Sequence, residues 1–158
     1  SLVVMGDKAD GRRRMFLVSS NGYRDREAEI VRVKALARYV ADFSPNPLLF
    51  WHHGHPIGDI VSATMEGPFL IEEAVERANR AIITKAFHGQ GTQVTTVRRV
   101  WDHLAANPDV FNAASIGFGY RHRDKRFGVY DRIVKRETSV LPGWAAANEY
   151  TYSEVNHG

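Results

Sequence analysis

The sequence predicts a single, mainly β domain with inserted helices, whose strands form a closed or nearly closed β-barrel. The chain has 158 residues, a length that fits one domain with its own core. Short apolar runs are separated by turn-forming residues, and a few amphipathic stretches interrupt them. Several short strands with helices between them are typical of a barrel. No internal repeat or linker divides residues 1–158, so we expect one domain.

The first part of the chain predicts a strand, a helix and two further strands. Residues 15–20 are apolar and end at the turn dipeptide Asn21-Gly22. Residues 34–41 are mostly good helix formers, and a serine-proline pair follows them closely. Residues 47–53 alternate as a buried strand, and residues 57–61 resume the pattern after a proline turn. These last two segments predict a hairpin or a barrel corner.

The second part of the chain predicts two helices and three strands. Residues 70–81 place apolar side chains at helical spacing, with Glu and Arg residues outside. Residues 81–87 are rich in β-branched side chains and favour a strand. Residues 94–104 predict another amphipathic helix, which an Asn-Pro pair stops. Residues 112–120 and 129–141 read as strands.

Composition limits the classes of function. The chain has no cysteine, which excludes disulfides and thiolate metal sites. The formal net charge is +3, and the basic residues are mostly scattered, so nucleic-acid binding is not favoured. We see neither a signal-peptide pattern nor an apolar run long enough to span a bilayer. We therefore expect an intracellular protein without a membrane partner.

The strand at residues 112–120 carries the most informative pattern. Ser115, Gly117 and Gly119 share one face of it, and the other face is apolar. Glycines weaken a strand unless a ligand or another backbone approaches closely. We therefore hypothesise that Ser115 is a nucleophile, with room beside it for an extended peptide. The alternative is a barrel strand bent by glycines with an incidental serine.

A nucleophilic serine needs a base, usually histidine, and a third group that orients the base. Of the seven histidines, three cluster at the end of an apolar strand: His52, His53 and His55. Spacing does not choose the third group among Glu137, Asp131 and Glu149. The histidine cluster could instead hold a metal ion in a metal-dependent hydrolase, although its spacing differs from the usual helical zinc pattern.

Four groups of motifs occur in an informative order. They are Asp25-Arg-Glu-Ala-Glu-Ile-Val31, Pro47-Leu-Leu-Phe-Trp-His52 with Pro56-Ile-Gly58, Ser115-Ile-Gly-Phe118, and Glu137-Thr-Ser-Val140 with Ala146-Ala-Asn148. In this order they resemble the prohead, or capsid-maturation, proteases of tailed phages, over a core of about residues 15–148. The resemblance implies a fold similar to herpesvirus assemblin, a β-barrel serine protease with peripheral helices. This sequence departs from the family pattern at two places. His53 stands where many relatives carry Asp, and Gly54-His55 shortens the loop before Pro56.

The resemblance implies a role for each candidate residue. Ser115 would be the nucleophile, His52 the general base and Glu137 the acidic third member, where herpesvirus relatives use a histidine. The adjacent His53 stays an alternative base. Gly117, Gly119 and His53 are expected to line the substrate groove. The expected catalytic residues are thus Ser115, His52 and Glu137, and the expected substrate-binding residues are Gly117, Gly119 and His53.

The resemblance also implies a function and its partners. We expect a serine endopeptidase that cleaves scaffold protein, major capsid protein and its own chain during phage head maturation. It would act without metal or cofactor, in the host cytoplasm inside assembling proheads. Because dimerisation activates the herpesvirus relatives, self-association is a further expectation. The alternative is a non-catalytic barrel that serves as a capsid-assembly or scaffolding protein.

Overall fold

A computed structural model describes residues 11–23 and 29–145, and the backbone alone of residues 152–155. The fold is mainly β, with 51% strand and 19% helix, which confirms the predicted class. Several predicted features lie outside the described residues, namely the motif residues 25–28 and 146–148, Glu149 and His157.

The described part of the chain contains twelve strands and two α-helices. The elements of the first half are β1 (Arg14–Asn21), β2 (Ile30–Val31), α1 (Val33–Ala41), β3 (Asn46–Phe50), β4 (His53–Glu66) and β5 (Phe69–Glu76). Those of the second half are β6 (Ala81–Lys85), β7 (Thr92–Thr96), α2 (Val97–Ala106), β8 (Ala113–Gly119), β9 (Lys125–Arg126), β10 (Val129–Tyr130), β11 (Val134–Leu141) and β12 (Tyr152–Val155). None of the described helices is long and apolar enough to cross a membrane.

Seven strands form one large sheet in the order β12, β1, β5, β4, β3, β11 and β8. The pair β3 and β11 is parallel, and the other neighbours are antiparallel. Strands β2, β10 and β9 form a small second sheet, and β6 pairs with β7. At one end of the large sheet, Ser115 lies on β8, Glu137 lies on β11, and His52 follows the end of β3.

The large sheet curls strongly into a half-barrel, so the predicted closed barrel is wrong. Strands β12 and β8 stand at its two edges and do not pair with each other in the part of the chain that the structure describes. Helix α2 packs its buried side chains, including Trp101, into a core shared with Met15 of β1 and Ala114 of β8. Helix α2 therefore buries apolar surface on the concave side of the half-barrel. The sheet can bury this surface without the additional strand pairing that would close a barrel.

Strand β5 replaces the helix predicted for residues 70–81, and that prediction is wrong. Alternate residues of β5 are buried, including two glutamates that the helical pattern placed in solvent. Glu72 pairs with Lys135, and Glu76 pairs with Arg13, each at 3.0 Å. Because a basic partner satisfies each of these carboxylates, the strand can turn acidic residues toward the interior.

The other element predictions differ from the structure mainly at their ends. Helix α1 and strand β6 confirm the predictions for residues 34–41 and 81–87. Helix α2 begins at Val97 because the Thr96 hydroxyl accepts the backbone N–H of Arg99 at 3.2 Å and caps the helix. The strand predicted for residues 129–141 is divided into β10 and β11, with residues 131–133 between them.

Candidate active site

Three neighbouring strands bring together three residues that lie far apart in the sequence. Ser115 lies on β8, Glu137 lies on the adjacent β11, and His52 follows the end of β3 on the far side of β11. On β11, the flanking Thr138 and Val140 are fully buried, and Val140 belongs to the hydrophobic core. Side chains alternate along a strand, so Glu137 lies on the face opposite the core.

Register places the serine on this same outer face. Ser115 is the direct cross-strand partner of Ser139, and Gly117 is the partner of Glu137. Directly opposed residues of an antiparallel pair point their side chains to the same side of the sheet, with Cβ atoms roughly 4.5–5.5 Å apart. The Ser115 hydroxyl forms no hydrogen bond with any described residue. Its oxygen is therefore available to a ligand or substrate.

His52 lies in a tight turn, not in the strand that the sequence predicted. Phe50 of β3 pairs with His53 of β4, and the two residues between them form the turn of a hairpin. Both have positive φ, 61° at Trp51 and 59° at His52. Two-residue hairpin turns with this backbone normally carry Asn and Gly, because bulky side chains are strained there. Such strain persists where the surroundings fix the conformation, and it concentrates at functional sites.

Contacts on several sides hold this turn in place. The backbone N–H of Trp51 donates to the carbonyl of Val140 on β11 at 3.1 Å. The Trp51 ring packs edge-on against Trp144, with 5.2 Å between centroids, and the Lys85 ammonium lies 4.7 Å from the Trp51 ring centroid. The Trp51 backbone thus attaches the turn to β11, and the Trp51 side chain attaches it to the protein surface. Together these contacts direct His52 over β11.

The imidazole of His52 contacts the candidate acid. Its Nδ1 lies 3.0 Å from Oε1 of Glu137, with 42% of the His52 side chain and 19% of the Glu137 side chain exposed. An ionised carboxylate only accepts hydrogen bonds, so Nδ1 donates. The neutral ring then carries its proton on Nδ1 and leaves Nε2 as an acceptor. This tautomer is the one in which a histidine can take a proton from a serine.

A second serine, which the sequence analysis missed, completes the cluster. Ser139 Oγ lies 2.7 Å from His52 Nδ1, and 3.5 and 3.4 Å from the two carboxylate oxygens of Glu137. Ser139 is fully buried. Residues two apart on a strand share a face. The strand predicted around Glu137 could therefore have indicated that the Ser139 side chain lies on the same face as Glu137.

The two glycines of β8 lie beneath side chains of β11. A Cβ atom built on Gly117 would stand 2.7 Å from Cγ and 2.9 Å from Cδ of Glu137. One built on Gly119 would stand 2.7 Å from Nη2 of Arg136. The carboxyl group of Glu137 therefore lies across Gly117, which accounts for the missing side chain at that position. The expected role of both glycines in binding a peptide stays a prediction.

The neighbouring histidines make different contacts. His53 is exposed at the start of β4, and Nδ1 of His55 accepts the backbone N–H of Ile83 at 3.1 Å. Among the described residues, no group of three or more His, Asp or Glu side chains is arranged to hold a metal ion. The imidazole that reaches Glu137 is that of His52.

The alternative acids are placed elsewhere. Asp131 forms ion pairs with Arg32 at 2.7 Å and with Lys34 at 3.4 Å. Glu149 lies outside the described residues. Of the other histidines, His103 stacks on Phe87 with 4.2 Å between ring centroids, and burial lowers its pKa. Glu137 is the one of the three candidate acids that the structure places against a histidine in the described part of the chain.

A buried polar network supports β11 from its inner face. Lys135 Nζ lies 3.0 Å from Glu72 Oε2, and neither side chain has exposed surface. The hydroxyls of Tyr39 and Thr138 donate to Glu72 at 2.6 and 2.5 Å, and Lys135 also donates to Asn46 Oδ1. Burial lowers the pKa of Lys135 and raises the pKa of Tyr39. Each polar group has a partner, so the network fixes the strand that carries the candidate acid.

Comparison of the chain with models of known protein families and with curated proteins finds no match.

Proposed function

We propose that this protein is a serine endopeptidase in which Ser115 is the nucleophile, His52 the general base and Glu137 the residue that orients the base. The observation that carries the proposal is the 3.0 Å contact between His52 Nδ1 and Glu137 Oε1, beside the strand that presents Ser115. This contact lies on the face away from the hydrophobic core. Core packing does not require it, and its tautomer suits proton transfer.

The proposed chemistry follows from these positions. Nε2 of His52 takes the hydroxyl proton of Ser115 as Oγ forms a bond to the carbonyl carbon of the substrate peptide. The proton then passes to the amide nitrogen, the C–N bond breaks, and an acyl-enzyme remains on Ser115. A water molecule gives its proton to His52 and attacks the ester carbonyl, after which the C–Oγ bond breaks and the proton returns to Ser115. Glu137 stays ionised and stabilises the imidazolium.

An extended polypeptide suits the place where Ser115 lies. Strand β8 is the last strand in the order of the large sheet. Ala113 and Ala114 have partners of their own, so a substrate strand would pair with the part of β8 that follows Ser115. Together with the order of the sequence motifs, this supports scaffold protein, major capsid protein and the protein's own chain as substrates. In this proposal the half-barrel is related to the fold of herpesvirus assemblin, and cleavage takes place inside assembling proheads in the host cytoplasm.

A serine-directed fluorophosphonate probe tests the nucleophile. The parent protein should be labelled on Ser115, and Ser115→Ala should lose the label. Ser62→Ala is a matched control, because the Ser62 hydroxyl lies 3.4 Å from a glutamate oxygen and forms no hydrogen bond to a histidine among the described residues. Labelling of the parent and Ser62→Ala at the same rate, with none in Ser115→Ala, supports the proposal. No labelling of the parent would favour a non-catalytic assembly protein.

Co-expression with scaffold and capsid protein tests the substrates. Mass spectrometry should find cleaved products with the parent and intact partners with Ser115→Ala, since loss of a triad member typically lowers turnover by about 10⁴- to 10⁶-fold. Circular dichroism of Ser115→Ala should match the parent, because Ser115 forms no hydrogen bond with the described residues. Scaffold trimmed equally by both proteins would refute the nucleophile assignment.

A further inference from the structure

We infer that Ser139 is a positioning residue for this site, a fourth member that holds His52 and Glu137 in one arrangement. The inference rests on the proposed function. It is carried by the 2.7 Å contact from Ser139 Oγ to His52 Nδ1 and by the 3.4 and 3.5 Å contacts to the Glu137 carboxylate. The hydroxyl touches both groups whose relative position decides whether Nε2 faces the nucleophile.

The direction of each hydrogen bond follows from the donors present. Glu137 can only accept, so the proton on Nδ1 of His52 is shared between Oε1 of Glu137 and Oγ of Ser139. The Ser139 hydroxyl is then left to donate its own proton to the carboxylate. In this arrangement each hydrogen bond favours the same tautomer of His52. If Ser139 donated to Nδ1, the ring would carry its proton on Nε2 and could not accept one from Ser115.

Burial distinguishes Ser139 from a nucleophile. Ser139 has no exposed surface, whereas its cross-strand partner Ser115 is partly exposed. Ser139 also contacts Nδ1, the nitrogen that faces the acid, and not the nitrogen that would accept a proton during attack. The Ser139 side chain is therefore not open to a peptide carbonyl in this structure. Its effect on the reaction must therefore pass through His52 and Glu137.

The backbone on both sides of Ser139 is fixed by neighbouring strands. Ser139 pairs with Leu49 on the parallel β3 and with Ser115 on β8, and the next residue accepts the backbone N–H of Trp51. The Ser139 hydroxyl therefore has a fixed position between the hairpin that carries His52 and the strand that carries the nucleophile. A group held on a rigid central strand is well suited to limit rotation of a half-exposed imidazole.

The rate of fluorophosphonate labelling on Ser115 measures this effect without a peptide substrate. In that reaction the Ser115 oxygen bonds to phosphorus, the P–F bond breaks, and His52 takes the hydroxyl proton. Ser139→Ala should slow labelling by about 10- to 100-fold, the effect expected of one hydrogen bond to a charged group. Ser139→Thr keeps the hydroxyl on a β-branched side chain suited to a strand and should restore most of the rate. With a peptide substrate, kcat should fall and KM should change little.

Ser19→Ala is a matched control, because Ser19 is a buried strand serine whose hydroxyl has no partner among the described residues. It should label at the parental rate. A parental rate for Ser139→Ala would overturn this inference and leave the proposed function standing. A slow rate that Ser139→Thr does not raise, or a change in KM alone, would also overturn it. If the label maps to Ser139, or the parent does not react, the proposed function itself fails and this inference fails with it.

Discussion

Replacing Lys135 by methionine should destabilise the protein strongly, although Lys135 lies on the opposite face of the sheet from the candidate active site. Its ammonium is the charge partner of Glu72, and both side chains are fully buried. Lys135→Met leaves a buried carboxylate with only the hydroxyls of Tyr39 and Thr138 as donors. Breaking a buried pair on one side typically costs about 3–5 kcal/mol. For a chain of this length, that corresponds to a fall in Tm of roughly 6–20 °C.

Urea unfolding followed by tryptophan fluorescence would measure this cost. A second variant, Lys135→Met combined with Glu72→Gln, removes both charges and keeps an amide that can accept and donate hydrogen bonds. It should recover a large part of the loss, because the penalty comes from the unpaired charge. An unchanged m-value would show that both variants unfold from a comparable native state. A single variant that costs less than about 1 kcal/mol, or a double variant no better than the single one, would refute the reasoning.

Three further outcomes are expected from other parts of the structure. In a peptide-cleavage assay, Gly117→Ala should lower activity about 100-fold or more, because the new methyl group displaces the Glu137 carboxyl. Gly119→Ala should lower activity much less in the same assay, because its methyl group contacts only the end of the flexible Arg136 side chain. His52→Gly should abolish activity yet raise the urea midpoint, since glycine tolerates the positive φ that strains histidine by about 1–2 kcal/mol. Burial lowers the pKa of His103 in the folded state, so the unfolded chain binds more protons and stability falls as pH drops below the ordinary histidine pKa of about 6.5. In His103→Phe the acid limb of the melting-temperature profile should therefore flatten, and an unchanged limb would contradict this.

Sequence patterns predicted the fold where local signals and tertiary contacts agree. The strands around residues 15–20 and 112–120 and the helix around residues 34–41 formed as predicted. The prediction failed for β5, because its apolar residues fit both a helix and a strand and its glutamates suggested a solvent face. Glu72 is buried through partners that lie 33 and 63 residues away, Tyr39 and Lys135. No local window contains those partners, so the helical period could not be rejected from the sequence.

The sequence likewise predicted some features of the candidate site and not others. Residue chemistry and the motif order singled out Ser115, His52 and Glu137, and the structure places Ser115 and Glu137 on adjacent strands and His52 in the turn that follows β3. The sequence could not reveal the turn at His52, because Trp51 and His52 are unusual residues for a backbone with positive φ. It did not single out Ser139, since a strand serine has no distinctive pattern until its cross-strand neighbours are known.

A bulge in β11 allows one strand to serve both the core and the candidate site. In a regular strand Lys135 and Glu137 would share a face, because they are two residues apart. The pairing of β11 with β8 shifts register between them, which leaves Arg136 as the extra residue. Lys135 can then point inward to Glu72 while Glu137 points outward to His52. Bulges redirect side chains next to functional sites, and without this one either the buried ion pair or the His52 contact would be lost.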